Sequence, residues 1–203
     1  MAGYEYQVFV SYRRAYDWEP WVRKLFIPKL RSFLSQHFAD PISVFSDEQI
    51  LTGAAWKKSI HDAIDASCIM VPVFFGAYFG SEWCRLELAR MLHREKKLGF
   101  RSQRRNDTLI LPVCIGSRHA FPDLVSAIQY EDLYQFAIPH MGEETKLHQE
   151  FDVAMQRFCQ KLADALRRIP PHDPSWSKLD GGIYLPKLMP KPFHVTINPR
   201  LEA

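Results

Sequence analysis

The chain has 203 residues, with 26 lysines and arginines against 23 aspartates and glutamates, and 47% of its residues are hydrophobic. This composition is typical of globular proteins and excludes disordered, collagen-like and membrane-spanning chains, since no run approaches the ~20 consecutive apolar residues of a membrane span. The formal net charge of +3 is too small to predict nucleic-acid binding.

The N-terminal segment and the cysteines indicate a cytoplasmic protein. The start, MAGYEYQVFVSYRR, lacks the basic and long apolar regions of a signal peptide. No CxxC pair and no histidine at metal-ligand spacing accompany Cys68, Cys84, Cys114 and Cys159. A chain of this length buries about 70% of its unfolded surface without disulfides. We therefore predict buried, reduced thiols and no metal site.

The first predicted elements are a strand and a helix. Tyr6–Tyr12 is a β-branched and aromatic run, which predicts a buried strand. After Asp17, a candidate N-cap, apolar residues recur every three or four positions as far as Leu34, as in an amphipathic helix. Pro28 lies inside this pattern. Because proline has no N–H, it predicts a kink or break near Ile27.

The middle of the chain repeats the alternation of strand and helix. Pro41–Phe45 predicts a second strand, and a helix follows with Trp56, Ile60 and Ile64 on one face. Ser67–Phe75 is almost wholly apolar, which is typical of a strand covered on both faces.

Another helix, two more strands and a long helix are predicted further along. Ser81 is the candidate N-cap of the first of these helices. The basic run from His93 to Arg105 predicts solvated cations at that helix's C-terminus, with a patch for polyphosphate or a partner as the alternative. A strand is predicted at Thr108–Ile115, a weaker one at Ser126–Leu133 and a helix from Leu147 to Ile169.

Strands that alternate with helices predict an α/β domain of the flavodoxin-like class, a mostly parallel five-stranded sheet flanked by helices. We expect this domain to cover residues 1–169. Half of the 14 prolines follow Ile169. Residues 170–203 are therefore predicted to be a proline-rich, non-helical extension, either extended chain lying on the domain or a docking strap.

The motifs of several enzyme classes are missing. The sequence has no GxxxxGK phosphate loop, no GxGxxG after a strand, no GxSxG and no HExxH. The carboxyl ends of parallel strands meet at one edge of a sheet, so one polar cluster is expected there. Its members are Ser11, Tyr12, Arg13 and Arg14 after the first strand, Ser46 and Asp47 after the second, and the segment Ser81–Glu87 after the third.

Trp83 and Glu87 are four residues apart, so a helix places them on one face. An indole face beside a carboxylate suits a flat aromatic cation attached to a sugar. The alternatives are an ion pair of Glu87 with Arg90 or Arg94 at the surface, and a partly buried Trp83 that anchors the start of the helix.

Three segments together resemble the Toll/interleukin-1 receptor (TIR) domain family. They are YQVFVSYRR, FSDEQILTGAAWKKSIHDAIDAS and IMVPVFFGAYFGSEWCRLEL, in the family's order and at its separations, and the resemblance spans about residues 5–166. It implies the flavodoxin-like fold, with Asp47–Gly53 as the loop called BB in this family. Many bacterial and plant members, and the axon-degeneration enzyme of animals, cleave NAD⁺ at the nicotinamide ribosyl bond.

The resemblance also assigns roles to individual residues. The family's W-C-x-x-E-L pattern falls on Trp83, Cys84, Glu87 and Leu88, which implies that Glu87 is catalytic and that Trp83 binds the substrate. Ser11, Arg13, Arg14 and Asp47 are the other implied substrate-binding residues, and the arginines match a pair that follows the first strand of the animal enzyme. For these arginines, solvent-facing charge at the end of a strand is the alternative.

The resemblance implies an NAD⁺ glycohydrolase or cyclase that uses NAD⁺ as its substrate and needs no cofactor. The product is ADP-ribose or a cyclic isomer, and a lone domain resembles the signal-producing part of bacterial Thoeris-type antiphage systems, whose messenger activates a separate effector. Signalling adaptors commonly carry an R-D-x-x-P-G loop, and this chain has no proline there. A non-enzymatic TIR scaffold or host-TIR decoy is the alternative. A response-regulator receiver is disfavoured because the first strand ends in arginines.

Ile50 and Leu51 lie in the otherwise polar segment DEQILTG. Apolar residues in such a setting often mark a contact surface. We therefore predict that they touch a neighbouring copy and help to close the site. In the alternative, both side chains pack back onto their own domain near Trp56.

Overall fold

The structure is a computed structural model that describes residues 3–14, 18–46, 56–102, 107–138, 141–142, 144–179 and 181–192. Within these residues, five parallel strands form one sheet in the order β2-β1-β3-β4-β5. The strands are β1 (Tyr6–Ser11), β2 (Val44–Phe45), β3 (Ser67–Phe74), β4 (Val113–Cys114) and β5 (Glu131–Asp132). The predicted flavodoxin-like α/β class is confirmed.

Helices connect the strands, as the alternating pattern predicts. They are α1 (Trp18–Trp21), α2 (Ile27–Ser35), α3 (Trp56–Asp65), α4 (Glu82–Lys97), α5 (Asp123–Ser126) and α6 (Lys146–Leu166). A 3-10 segment, Gly76–Gly80, joins β3 to α4. All eight residues of β3 are buried, which is the expected state of a central strand in a parallel sheet.

Three strands are much shorter than predicted, and the last of them, predicted at Ser126–Leu133, contributes only the two residues of β5. Pro41–Phe45 contributes only two residues to β2, and Thr108–Ile115 contributes two to β4 together with an isolated bridge between Met70 and Ile110. Pro112 stands between that bridge and β4. Pro112 faces β5, since its carbonyl oxygen accepts from the N–H of Glu131. Pro72, two residues after Met70 on the same side of β3, faces the break and has no N–H to donate to Leu111, so the pairing of β3 with β4 is interrupted there.

Pro28 divides the first helical region near Ile27, as predicted. Residues Val22–Phe26 form a π-helical turn, and the N–H of Ile27 donates to the carbonyl of Val22, five residues back. Pro28 then lies in the first turn of α2, where its missing N–H leaves no hydrogen bond broken. Asp17, the predicted N-cap, lies outside the described residues.

The four cysteines are buried and free, as predicted. Burial raises the pKa of Cys68 and of Cys159 to about 12. At neutral pH these thiols are therefore un-ionised and unreactive.

The proline-rich tail, described at residues 170–179 and 181–192, lies on the domain along α4. Its prediction as extended chain is wrong in part, because Pro174–Lys178 and Gly182–Leu188 form 3-10 segments. Pro174 starts the first of these, where no N–H is required. The side chain of Trp176 is buried, and the Arg94 guanidinium lies 4.4 Å from the centre of its ring.

This tail overturns the prediction of a fully solvated basic helix end. Arg94 is 1% exposed and donates to the carbonyl oxygens of Ser67 and Ile64 at 2.7 and 2.9 Å. A buried arginine on the last turns of α4 is therefore part of the core between the helix, the start of β3 and Trp176.

Gly181 fixes the approach of the tail to α4, and its replacement by alanine tests that contact. It has φ +71°, and a Cβ built there lies 2.5 Å from the carbonyl carbon of Ala89. Gly181→Ala is expected to lower the free energy of unfolding by about 2–4 kcal/mol, from left-handed strain plus overlap. Urea denaturation measures this change.

Gly99→Ala is the matched control, because Gly99 has φ +67° but no atom within 4 Å of the added Cβ. Gly99→Ala is therefore expected to lower the free energy of unfolding by the backbone strain alone, about 1 kcal/mol. Equal losses in Gly181→Ala and Gly99→Ala would contradict the close packing of the tail against α4.

Candidate functional site

The candidate site lies where the strand order reverses, at the carboxyl ends of β1 and β3. In open α/β sheets this switch point is the usual place for a ligand. β1 ends at Ser11, which is in register with Pro72 of β3. The 3-10 segment Gly76–Gly80 and the start of α4 follow β3 at the same edge.

Ser81 sets the position of the functional helix. Its side chain accepts a hydrogen bond from the N–H of Cys84 at 3.4 Å, which confirms it as the N-cap of α4. The helix then places Trp83 and Glu87 one turn apart on one face. The side chain of Trp83 is half-buried, and Glu87 is 8% exposed.

Ser11 and Glu87, 76 positions apart in the chain, meet at this edge. The Ser11 hydroxyl donates to Glu87 Oε2 at 2.5 Å. Ser11 is itself 1% exposed, so the contact is buried at the end of β1. The structure thus brings together two of the predicted site residues, as the convergence of strand ends requires.

Tyr78 is the neighbour that the sequence analysis missed. Its hydroxyl oxygen lies 2.8 Å from Ser11 Oγ and 3.2 Å from the carbonyl oxygen of Cys84. Burial raises the pKa of Tyr78 well above its ordinary value, so the phenol stays protonated. The available signal was a tyrosine within the apolar run FFGAYFG, since a buried phenol needs a hydrogen-bond partner.

The two predicted arginines have different surroundings. Arg13 donates from Nη1 to the carbonyl oxygen of Ala77 at 2.7 Å and thereby ties the end of β1 to the 3-10 segment. A Cβ built on Gly80 lies 2.9 Å from the same Nη1, so Arg13 packs closely against that segment. Arg14 is exposed. Binding of a substrate by either residue stays a prediction.

Arg90 and Arg94 are engaged with Asp65. Arg90 Nε and Nη2 donate to the two carboxylate oxygens of Asp65 at 2.7 and 2.6 Å, and Arg94 Nη2 lies 3.7 Å from Asp65 Oδ1. Glu87 is buried and accepts from Ser11. Glu87 is therefore not the surface carboxylate of the predicted alternative, and Arg90 and Arg94 both contact Asp65.

Three predicted residues lie outside the described residues, namely Asp47, Ile50 and Leu51. The role of Asp47 in substrate binding and that of Ile50 and Leu51 in self-association stay predictions.

Two cavities formed by described residues lie away from Glu87. The larger has a volume of about 820 Å³ and lies beside the segments that lead into β4 and β5. Its lining includes Arg101, Thr108, Tyr130 and Lys161. Its cations already bind carboxylates, since Arg101 contacts Glu95 at 2.6 Å and Lys161 contacts Glu131 at 2.7 Å. We place the candidate site at the Glu87 edge because a carboxylate, an indole and the switch point coincide there.

Neither a cluster of metal-binding side chains nor a membrane-spanning helix is found among the described residues. Among those residues, no group of three or more His, Cys, Asp and Glu side chains is arranged to hold a metal ion. In the same residues, no helix has both the length and the apolar character required to cross a bilayer.

Comparison with known proteins gives a matching sequence family and similar solved structures, among them the two described next. A sequence-family profile described as TIR domain matches residues 8–149. The TIR domain of the Toll-related receptor TRR-2 from the lower metazoan Hydra magnipapillata is 18% identical over 80% of this chain and 99% of that chain, with a TM-score of 0.49. The TIR domains of the activated Roq1 resistosome, which directly recognizes the pathogen effector XopQ, are 23% identical over 88% and 97%, with a TM-score of 0.41.

Proposed function

The chain belongs to the TIR domain family, and we propose that it cleaves NAD⁺ at the bond between nicotinamide and ribose. The single observation that carries this proposal is the Glu87 carboxylate at the switch point, bound at 2.5 Å by the Ser11 hydroxyl. Trp83, half-buried one turn earlier on the same face of α4, supports it with a flat aromatic surface beside that carboxylate.

The proposed chemistry needs few groups. Nicotinamide leaves as a neutral base, so no general acid is required, and the transition state has the positive charge of a ribosyl oxocarbenium ion. The Glu87 carboxylate stabilises that charge, and Trp83 stacks on the nicotinamide or adenine ring. Arg13 uses one N–H on Ala77 and has further donors in its guanidinium fork, so it and Arg14 pair with the pyrophosphate.

The nucleophile that attacks the ribosyl group determines the product. Attack by water gives ADP-ribose, and attack by an adenine nitrogen or ribose hydroxyl of the same molecule gives a cyclic isomer. We propose that this product is a messenger in bacterial antiphage defence that reaches a separate effector protein.

Incubation of the purified protein with NAD⁺, followed by chromatography of the products, tests the proposal. Nicotinamide with a cyclic product supports the messenger function. Nicotinamide release without any cyclic product rejects the messenger function and supports an enzyme that only hydrolyses NAD⁺. No nicotinamide release, even at high protein concentration, contradicts the enzyme.

A scaffold that acts through TIR–TIR contacts is the second candidate function, and one surface favours it. Tyr134 is 63% exposed, Ile138 is 43% exposed, and between them Phe136 lines a cavity with the exposed Val153 of α6. Exposed apolar side chains gathered at one place are typical of protein contacts. Binding of another TIR domain without any NAD⁺ cleavage is the result expected of a scaffold.

Self-association is expected to switch the enzyme on. If Ile50 and Leu51 contact a neighbouring copy and close the site, specific activity rises with protein concentration, and Leu51→Asp lowers activity and assembly because an unpaired carboxylate opposes burial. Activity measured alongside light scattering checks this. Ile183→Asp, at an exposed apolar position in the C-terminal tail, is the matched control. Constant specific activity from a persistent monomer would contradict the shared site.

A further inference from the structure

Two buried hydroxyl groups form a chain of short contacts that ends at the Glu87 carboxylate. The Ser11 hydroxyl lies 2.5 Å from Glu87 Oε2, and the Tyr78 hydroxyl lies 2.8 Å from Ser11 Oγ. These residues come from the end of β1, the second turn of α4 and the 3-10 segment between β3 and α4. The three groups therefore join β1, α4 and the 3-10 segment at the edge of the candidate site.

The number of protons fixes the direction of these hydrogen bonds. An ionised carboxylate only accepts, and each hydroxyl has one proton to donate. Ser11 must therefore donate to Glu87, and the short contact between Ser11 and Tyr78 then requires the proton of Tyr78. The Tyr78 hydroxyl also donates to the carbonyl oxygen of Cys84 at 3.2 Å, so its single proton is shared between this carbonyl and Ser11 Oγ, the nearer acceptor at 2.8 Å.

We propose that Tyr78 and Ser11 form a two-hydroxyl relay that keeps the Glu87 carboxylate ionised and in one orientation, so that both are positioning residues of the site. Its meaning for catalysis rests on the proposed function. The relay acts through charge: a donor that points at a carboxylate favours the ionised form, and each bond in a buried chain polarises the next. Glutamate has three rotatable bonds, and the Ser11 hydroxyl restricts their freedom at the edge.

The surroundings suit such a relay. Tyr78 is fully buried, and its ring packs against Phe74 and Phe79 at centroid distances of 5.1 and 5.2 Å. Aromatic contacts of this kind fix the ring, so the hydroxyl stays aligned with Ser11. In surroundings of low dielectric constant, a hydrogen bond to a charged group is stronger than in water.

Tyr78→Phe and Ser11→Ala test the relay, because each removes one hydroxyl and keeps the fold's apolar contacts. The first measurement is the pH titration of the ¹³Cδ resonance of Glu87 by NMR, assigned with Glu87→Gln. The titration midpoint is expected to move to higher pH in Tyr78→Phe and further in Ser11→Ala. Tyr134→Phe, at an exposed tyrosine, is the matched control and leaves the midpoint unchanged.

The second measurement is the rate of NAD⁺ cleavage. Ser11→Ala is expected to lower kcat about tenfold or more, and Tyr78→Phe less, with KM little changed. Because the hydroxyls act in series, the double variant is expected to lose no more than Ser11→Ala alone. Additive losses would show that Tyr78 acts independently of Ser11 and would overturn the relay.

The NMR titration separates failure of the relay from failure of the proposed function. Shifted midpoints in a protein that releases no nicotinamide would keep the relay and reject NAD⁺ cleavage. Unshifted midpoints in both variants would overturn the relay, whatever the activity. Thermal unfolding of each variant identifies loss of fold, and the titration of whichever variant stays folded decides.

Discussion

Glu87→Gln is expected to reduce the rate of NAD⁺ cleavage about 10²- to 10³-fold, the usual loss when a preorganised electrostatic stabiliser is removed. Glutamine keeps the size of the side chain, and its amide oxygen still accepts the hydrogen bond from Ser11, so the contact at the end of β1 survives. The negative charge disappears, and the other carboxylate oxygen is replaced by an NH₂ group, which donates instead of accepting. The measurement is kcat for nicotinamide release, with thermal unfolding to confirm that the fold is unchanged.

Glu82→Gln is the matched control, because it removes the same charge from the same helix at an exposed position five residues earlier. It is expected to leave kcat within about twofold of wild type, since an exposed charge is screened by solvent. A Glu87→Gln enzyme with most of its activity would point to another carboxylate, such as Asp47. One that melts far below wild type would show that Glu87 serves the fold.

Arg94→Ala is expected to cost about 3–5 kcal/mol of stability, the usual effect of breaking a buried charge network. The substitution removes the hydrogen bonds to Ser67 and Ile64 and the contact with the Trp176 ring, and leaves a gap in the core. Burial lowers the pKa of Arg94 to about 10, so the guanidinium is still charged at neutral pH. For a chain of this size the loss corresponds to a fall in Tm of roughly 6–20 °C.

Lys96→Ala provides the comparison, because Lys96 is an exposed cation on the same turn of α4. Its removal is expected to change the free energy of unfolding by about 0.5 kcal/mol or less. Differential scanning calorimetry on both variants makes the test. Similar Tm values for Arg94→Ala and Lys96→Ala would mean that the buried arginine contributes no more to stability than the exposed lysine does.

The class of fold was predictable because it depends on periodicity, which is local. The apolar run at Ser67–Phe75 and the stripe up to Leu34 each indicate their element without knowledge of the rest of the chain. The lengths of β2 and β4 were not predictable in the same way, because a strand ends where its neighbour stops pairing. At β4 the missing N–H of Pro72, on the neighbouring strand β3, interrupts the pairing and limits this length.

The candidate site likewise contains some contacts that the sequence predicts and others that it does not. The convergence of Ser11 with Glu87 follows from parallel strands, and the cap at Ser81 follows from the local sequence. The partner of the Tyr78 hydroxyl depends on the path of a five-residue 3-10 segment, which no periodicity specifies. The burial of Arg94 depends on Trp176, 82 positions later in the chain, and a helix pattern carries no information about that contact.

The tail along α4 also determines the order in which the protein is completed during synthesis. Tyr4 donates to the carbonyl oxygen of Pro170, 166 positions away, and Trp176 covers Arg94 from still later in the chain. At about 5–20 residues per second, a ribosome takes roughly 8–33 s to make that intervening length. Trp176 follows Arg94 by 82 positions, so the face of Arg94 that this indole covers is expected to stay open to solvent until the tail has been made.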